Sequence, residues 1–153
     1  MLRFGFTASR RLEGTHERKL TRHLSKEFPG KLALQPELEF HTGGSWGGDY
    51  VIAEWLINRF PDAKHVLHLP DEPFNPDVSL LPFTEIRQYA TYRARNGGIV
   101  AASEKLYGYP LYDEERMPRS GTWMTIRIAR RQRKPMCVTV LEPEVATSAE
   151  RLY

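Results

Sequence analysis

Apolar residues recur along this chain in two alternating rhythms. Short apolar or alternating runs at residues 2–6, 38–41, 64–69, 105–109 and 136–141 read as strands. Between them the spacing changes to that of helices. Leu20, Leu24 and Phe28 stand four apart, which predicts a helix over 15–28, stopped by Pro29-Gly30. Val51, Ile52, Trp55, Leu56 and Phe60 form a second stripe, closed by Pro61. Residues 84–95 predict a third helix, which Asn96-Gly97-Gly98 interrupts and 99–102 briefly resume. Ser120-Gly121-Thr122 opens a fourth, ending near Lys134 before Pro135. Strands and helices thus alternate, the pattern of a parallel sheet with helices on both faces. Residues 70–82 carry four prolines and predict one long loop, of a kind that often forms a lid or rim. Residues 142–153 lack an apolar period and predict a loose tail after one domain over 1–141.

Composition narrows the setting more than the fold. The chain has 153 residues, 41% of them hydrophobic, enough for one cored domain. No stretch approaches the ~20 apolar residues of a membrane span, and the chain enters its first strand too early for a signal peptide. Cys137 is the single cysteine, so no internal disulfide is possible; its apolar surroundings in sequence read as core rather than nucleophile. A reducing, cytoplasmic setting is expected. The net charge of +3 suits an anionic ligand without demanding nucleic acid. The basic run 127–134 reads as a solvated helix face ending in cations that complement the helix dipole, with nucleic-acid contact the second choice.

Three turns carry candidate chemistry. They are 7–11, with Thr7, Ser9 and Arg10; 41–49, with Gly43, Gly44, Ser45, Gly47 and Asp49; and 119–122, with Ser120, Gly121 and Thr122. In a parallel sheet all three fall beyond the carboxyl ends of the strands, where ligands collect. Glycines admit close approach to backbone N–H groups, helix starts add unsatisfied donors and partial positive charge, and Arg10 can grip phosphate with two bonds. Each turn alone has an ordinary explanation, since Gly, Ser and Thr are common turn and cap residues; three on one edge point to phosphate. The glycine-rich turn lacks both the Walker Lys-Ser/Thr and the G-x-G-x-x-G spacing. His65 and His68 are three apart in a strand and face opposite ways, and no Asp/Glu/His cluster has ligand spacing, so no metal is expected. Trp46 and Trp123 either stack on a base or pack under the turns.

Several segments together resemble one family. Gly5-Phe6-Thr7-Ala8-Ser9-Arg10, the turn 41–49, Tyr92-Arg93-Ala94-Arg95-Asn96 with Ile99-Val100, and the run 119–127 with Ala129-Arg130 and Lys134-Pro135 are similar, in this order, to motifs of the SLOG superfamily. That group includes the DNA-processing protein DprA, the LONELY GUY phosphoribohydrolases and stand-alone YspA-like proteins. The resemblance covers roughly residues 2–140. It implies a Rossmann-like three-layer αβα domain with a mainly parallel five-stranded sheet. It also implies binding of a nucleoside monophosphate, ADP-ribose or NAD-like molecule, a homodimer, no cofactor, and a sensor or sequestering role. Arg95 matches the helix arginine of the LONELY GUY enzymes. Their catalytic glutamate position falls on Thr125, whose neutral hydroxyl cannot replace a carboxylate. A nucleotide N-glycosidase is therefore the alternative, with Arg95 and Asp49 as its catalytic candidates; Asp49 also reads as a first-turn capping acid.

Overall fold

The computed structural model describes residues 2–142; most of the expected tail, from residue 143 on, lies outside the described residues. Six strands, β1 (Leu2–Ala8), β2 (Leu38–Gly43), β3 (Lys64–Pro70), β4 (Glu85–Tyr89), β5 (Lys105–Tyr109) and β6 (Met136–Val138), form one sheet. Their order is β4-β3-β2-β1-β5-β6, and every adjacent pair is parallel. The chain first builds outward from β1 to β4, then crosses back to place β5 on the other side of β1. The strand order therefore reverses between β1 and β5, the position where α/β sheets open a crevice.

Four helices cover the sheet: α1 (Gly14–Glu27), α2 (Gly48–Arg59), α3 (Tyr92–Ala102) and α4 (Gly121–Arg131). Leu20 and Leu24 of α1 and Ile52 and Leu56 of α2 are buried against Phe6, Phe40 and Phe28 in the main core. The rings of Phe4, Phe6, Phe28, Phe40 and Tyr107 meet with centroids 4.9–6.1 Å apart, mostly edge-on or tilted. On the other face α3 and α4 pack together around a smaller core of Ile99, Val100, Leu106, Ile128 and Ala129. That face also carries buried polar groups.

The architecture agrees with the expected three-layer αβα, Rossmann-like form, with one strand more. The sheet has six strands, not five, because residues 85–89 are an edge strand rather than the start of a helix. Its inward side chains, Glu85, Arg87 and Tyr89, are polar, so no apolar alternation betrays it; Glu85 pairs there with Arg87 and with Lys64 at 3.2 Å. Helix α3 begins later, capped by Thr91, whose Oγ1 accepts from Ala94 N at 3.1 Å. It runs unbroken through Asn96-Gly97-Gly98. Gly98 is there for space: a Cβ would lie 2.3 Å from the Tyr89 hydroxyl. The last strand is regular only to Val138, although Leu141 N still donates to Pro110 O at 2.9 Å.

The proline-rich segment is also more structured than a loop. It forms a 3-10 turn at Pro76–Leu80 that buries Val78 against Leu67 and Leu69 of β3. Asn75 Oδ1 accepts from Asp77 N at 3.0 Å, and Asn75 N donates to Gly44 O at 2.8 Å. The segment makes the parallel crossover from β3 to β4 that a helix usually makes.

Candidate functional site

All three anion-type turns lie at the carboxyl edge of the sheet. Ser9 N donates to Tyr109 O at 3.1 Å, tying the end of β1 to the end of β5. Gly48 N donates to Ser9 O at 2.9 Å, tying the first turn to the second. Gly47 makes that junction possible. Its φ of +71° suits glycine, and a Cβ would lie 2.0 Å from the Arg10 carbonyl.

A cavity of about 730 Å³ opens at the reversal point, within the size range of small-molecule sites. Thr7, Ser9, Arg10, Ser45, Asp49, Arg95, Ser120, Gly121 and Thr122 line it. Gly43, Gly44 and Gly47 stand behind the wall instead, each spared a side chain that would strike a neighbour. None of residues 70–82 lines it, although Glu72 and Pro73 of the proline-rich crossover bond Tyr92, which does.

On the floor stand two buried side chains of opposite charge. Arg95 is 5% exposed and Asp49 6%. Arg95 Nε donates to Asn96 Oδ1 at 2.8 Å and Nη2 to Ser45 Oγ at 3.4 Å, while buried Nη1 has no partner among the described residues. Asp49 Oδ2 accepts from Ser45 N at 3.2 Å. Gly43 separates the two charges: a Cβ there would lie 2.6 Å from Arg95 Nη1 and 2.7 Å from Asp49 Oδ2. Burial raises the Asp49 carboxyl above its ordinary pKa, against the pull of Arg95 and of the Ser45 and Ala8 backbone. Burial likewise lowers the Arg95 pKa, and Asp49 partly restores it. An orphaned guanidinium N–H in a desolvated site is stabilised by an arriving anion.

The start of α4 forms the facing wall. Ser120 caps the helix, its Oγ accepting from Trp123 N at 3.0 Å, which leaves the N–H groups of Gly121 and Thr122 without intrahelical acceptors. Those donors and the helix dipole add positive potential to the cavity. Arg10, Arg11, Arg95 and Arg119 stand against one lining carboxylate among the described residues, Asp49. Arg10 also lies over the Tyr92 ring, 4.9 Å from its centroid. Ile99, Leu111, Met117 and Met124, with Tyr92 and Tyr112, give the cavity an apolar flank. Thr125 takes no part in the lining; fully buried, its hydroxyl donates to Gly121 O at 2.9 Å. Trp123 packs, donating Nε1–H to Tyr112 O at 2.9 Å, and Trp46 is half exposed outside the cavity.

A polar column lies buried beneath α3. His41 Nδ1 and His68 Nε2 are 2.9 Å apart, and His68 Nδ1 is 2.7 Å from the Tyr89 hydroxyl. His41 Nε2 sits 3.3 Å from Glu39 Oε1, though out of line for a good hydrogen bond. Burial lowers His41 to about 4 and His68 to about 3, so both rings are neutral at pH 7. A neutral column has one consistent polarity: Tyr89 donates to His68, His68 to His41, and His41 points its remaining N–H toward Glu39. His65 faces the other way and bonds the Phe60 carbonyl at 2.7 Å.

The sequence motifs reached the walls and floor of the cavity and Tyr92, Ile99 and Met124 of its apolar flank, but not Leu111, Tyr112 or Met117. Tyr112 and Met117 belong to the irregular segment between β5 and α4, where no period marks a residue as site or surface. Asn96, which orients Arg95, stood beside it in the quoted helix motif without an assigned role.

Together, fold and cavity define a Rossmann-like α/β domain with a cationic crevice at its strand-order reversal. Solved structures with this fold include DNA processing protein A from Helicobacter pylori, a structure described for its single-stranded DNA binding mode. Against it the TM-score is 0.60 at 18% identity, over 99% of this chain and 71% of that one. DNA processing protein A (DprA) from Streptococcus pneumoniae matches with TM-score 0.65 at 14% identity, over 97% of this chain. This chain spans about half, 53%, of that protein's length. A structural-genomics protein, TM1055, matches with TM-score 0.57 at 16% identity, over 89% of this chain and 72% of that one. The fold is therefore the DprA-like Rossmann fold that the sequence resemblance implied. No family model and no curated protein sequence matches the chain. Among the described residues no helix is long and apolar enough to cross a membrane.

Proposed function

We propose that this protein binds a nucleotide-derived, phosphate-bearing small molecule in the cavity between β1 and β5. The observation that carries the reading is the lining itself, where Arg10, Arg11, Arg95 and Arg119 face one carboxylate among the described residues and buried Arg95 keeps an unpartnered Nη1. Phosphate would lie between Arg95, Ser9 and the start of α4, with Thr7 and Thr122 as further donors. The flank of Tyr92, Tyr112, Met117 and Met124 supplies apolar surface of the kind that accepts a base or ribose face. Asp49, held by Ser45 N–H, fits hydrogen bonding to a sugar hydroxyl better than glycoside cleavage, since among the described residues no second carboxylate lines the cavity. The reading extends to a homodimer, as the family resemblance implies. Calorimetry with AMP, ADP-ribose, NAD and inorganic phosphate, beside adenosine as the phosphate-free control, tests it. Binding of a phosphorylated compound but not of adenosine is expected; a folded protein that binds none of them refutes the reading.

A second reading is single-stranded DNA binding, favoured by the fold shared with the Helicobacter pylori protein whose structure was described for that activity. On this chain Arg10, Arg11 and Arg119 at the cavity mouth would take backbone phosphates. A gel-shift series across salt separates the two, because strand binding through several phosphates weakens steeply as salt rises. Steep salt dependence with oligonucleotide and none of the mononucleotides bound would select the second reading.

A further inference from the structure

A different cluster of ligating side chains lies away from the cavity, and none of its members lines that space. His23 and Glu27 are four apart on α1, which puts them on one face of the helix. Cys137 meets them from β6, 110 residues further along the chain. His23 Nε2 is 4.0 Å from Glu27 Oε1, and Cys137 Sγ is 4.0 Å from the same oxygen. One nitrogen, one oxygen and one sulfur thus lie within 4.8 Å of one another, all on half-buried residues.

Beside them sits an orienting group. Tyr109, fully buried on β5, places its hydroxyl 2.9 Å from His23 Nδ1. This engages the ring from behind and turns Nε2 toward Glu27 and Cys137. It is the arrangement in which the second imidazole nitrogen fixes the orientation of a metal-binding histidine. Thr139 Oγ1 lies 3.4 Å from the same Nε2.

We propose that His23 Nε2, the Glu27 carboxylate and the Cys137 thiolate form a site for a divalent transition-metal ion of the zinc class, with Tyr109 as a positioning residue. The donor set selects the class. Thiolate and imidazole favour zinc-like ions, whereas magnesium and calcium take all-oxygen sets. Bonds of about 2.0–2.3 Å in a tetrahedron separate ligand atoms by roughly 3.3–3.7 Å. Closing from the observed spacing takes about 0.3–1.5 Å, within reach of side-chain adjustment, and half exposure leaves the fourth position to water. On binding, the thiol gives up its proton to solvent, and with Nε2 on the metal, Nδ1–H donates to the Tyr109 oxygen. Thiolate and carboxylate together balance the dication. Lys105 is within Coulombic reach of Cys137 and Glu27, and Lys26 of His23; both oppose the metal and weaken the site relative to an all-anionic one. Occupied, the site would clamp α1 to the edge strand β6.

The test titrates the reduced, full-length protein with Co2+ as a spectroscopic probe and then with Zn2+. The expected result is one ion per chain, a near-ultraviolet thiolate-to-cobalt charge-transfer band, and loss of that band on adding one equivalent of Zn2+. The chain has one cysteine, so the band has one possible source. Cys137→Ser removes the band. His23→Gln and Glu27→Gln each weaken Zn2+ binding at least tenfold with the circular dichroism unchanged, and Tyr109→Phe weakens it about 10–100-fold while keeping the band. No charge-transfer band in the folded wild type overturns the proposal, as does Zn2+ affinity unaltered by both His23→Gln and Glu27→Gln.

Discussion

Replacing Arg95 by methionine separates the stability of the cavity floor from its ligand chemistry. Arg95 is 5% exposed with one orphaned N–H, and Asp49 beside it is 6% exposed. Methionine fills much of the same space, but it removes the stronger of the two positive charges, Arg95 and Arg10, that act on the Asp49 carboxylate. Breaking a buried pair usually costs about 3–5 kcal/mol. Here Gly43 lies between the charges and Asp49 keeps backbone N–H bonds, so about 2 kcal/mol is expected for Arg95→Met. For a chain of this length that lowers Tm by about 4–8 °C. Adding Asp49→Asn removes the stranded charge, and its amide oxygen can still accept from Ser45 N–H. The double variant should regain most of the loss. Ligand binding should not recover in step. A charge-assisted bond to phosphate contributes about 1.5–3 kcal/mol, so both variants should bind the best nucleotide at least tenfold more weakly. Thermal unfolding followed by calorimetry on the same samples reads both effects. Arg95→Met that melts with the wild type, or binds as tightly, contradicts the charge-pair argument.

Three further outcomes follow from the structure. His41 and His68 are held neutral, at about 4 and 3, by burial, against 6.5 when exposed. The unfolded chain therefore takes up protons that the native state refuses, and stability is lost as pH falls from 6.5 toward 4, by up to about 1.4 kcal/mol per pH unit for each ring. Urea midpoints measured from pH 7 to 5 should fall; a flat profile refutes the neutral column. Gly47→Ala should destabilise by about 2 kcal/mol or more, because it combines positive φ with a clash on the Arg10 carbonyl. A urea midpoint within error of the wild type would show that the turn relaxes. Thr125→Glu should not create a glycosidase, since that side chain is buried outside the cavity and tied to the helix backbone. Free base released from AMP by this variant, followed by chromatography, would contradict the placement.

The layers of the fold were legible in the chain because three helices and five strands bury apolar residues at their natural period, whereas α3, expected over 84–95, buries Arg95 and Asn96 beside Ile99 and Val100. Leu20, Leu24 and Phe28 announce α1, and Pro61 marks the end of α2 as the structure has it. The sixth strand was hidden by chemistry. Glu85, Arg87 and Tyr89 face inward as an ion pair and a hydroxyl, so the alternation carries no apolar signal. Gly97-Gly98 looked like a break, yet Gly98 is required by the Tyr89 hydroxyl across the interface, a contact no local pattern encodes. At the site, the three turns could be placed on one edge from topology alone. Which glycines line the cavity and which stand behind it depends on approaches such as Gly43 to both Arg95 and Asp49. The cluster of His23, Glu27 and Cys137 was invisible for a related reason. Two members share a helix face, but the third arrives from a strand on the far side of the chain.

The central claim is that phosphate is held between buried Arg95 and the first turn of α4. A crystal structure of the protein with whichever phosphorylated compound calorimetry shows to bind tests it most directly. A phosphate oxygen about 2.7–2.9 Å from the Arg95 guanidinium is expected, with the N–H groups of Gly121 or Thr122 on the same phosphate. A phosphate bound elsewhere, with no contact to the Arg95 guanidinium, contradicts it.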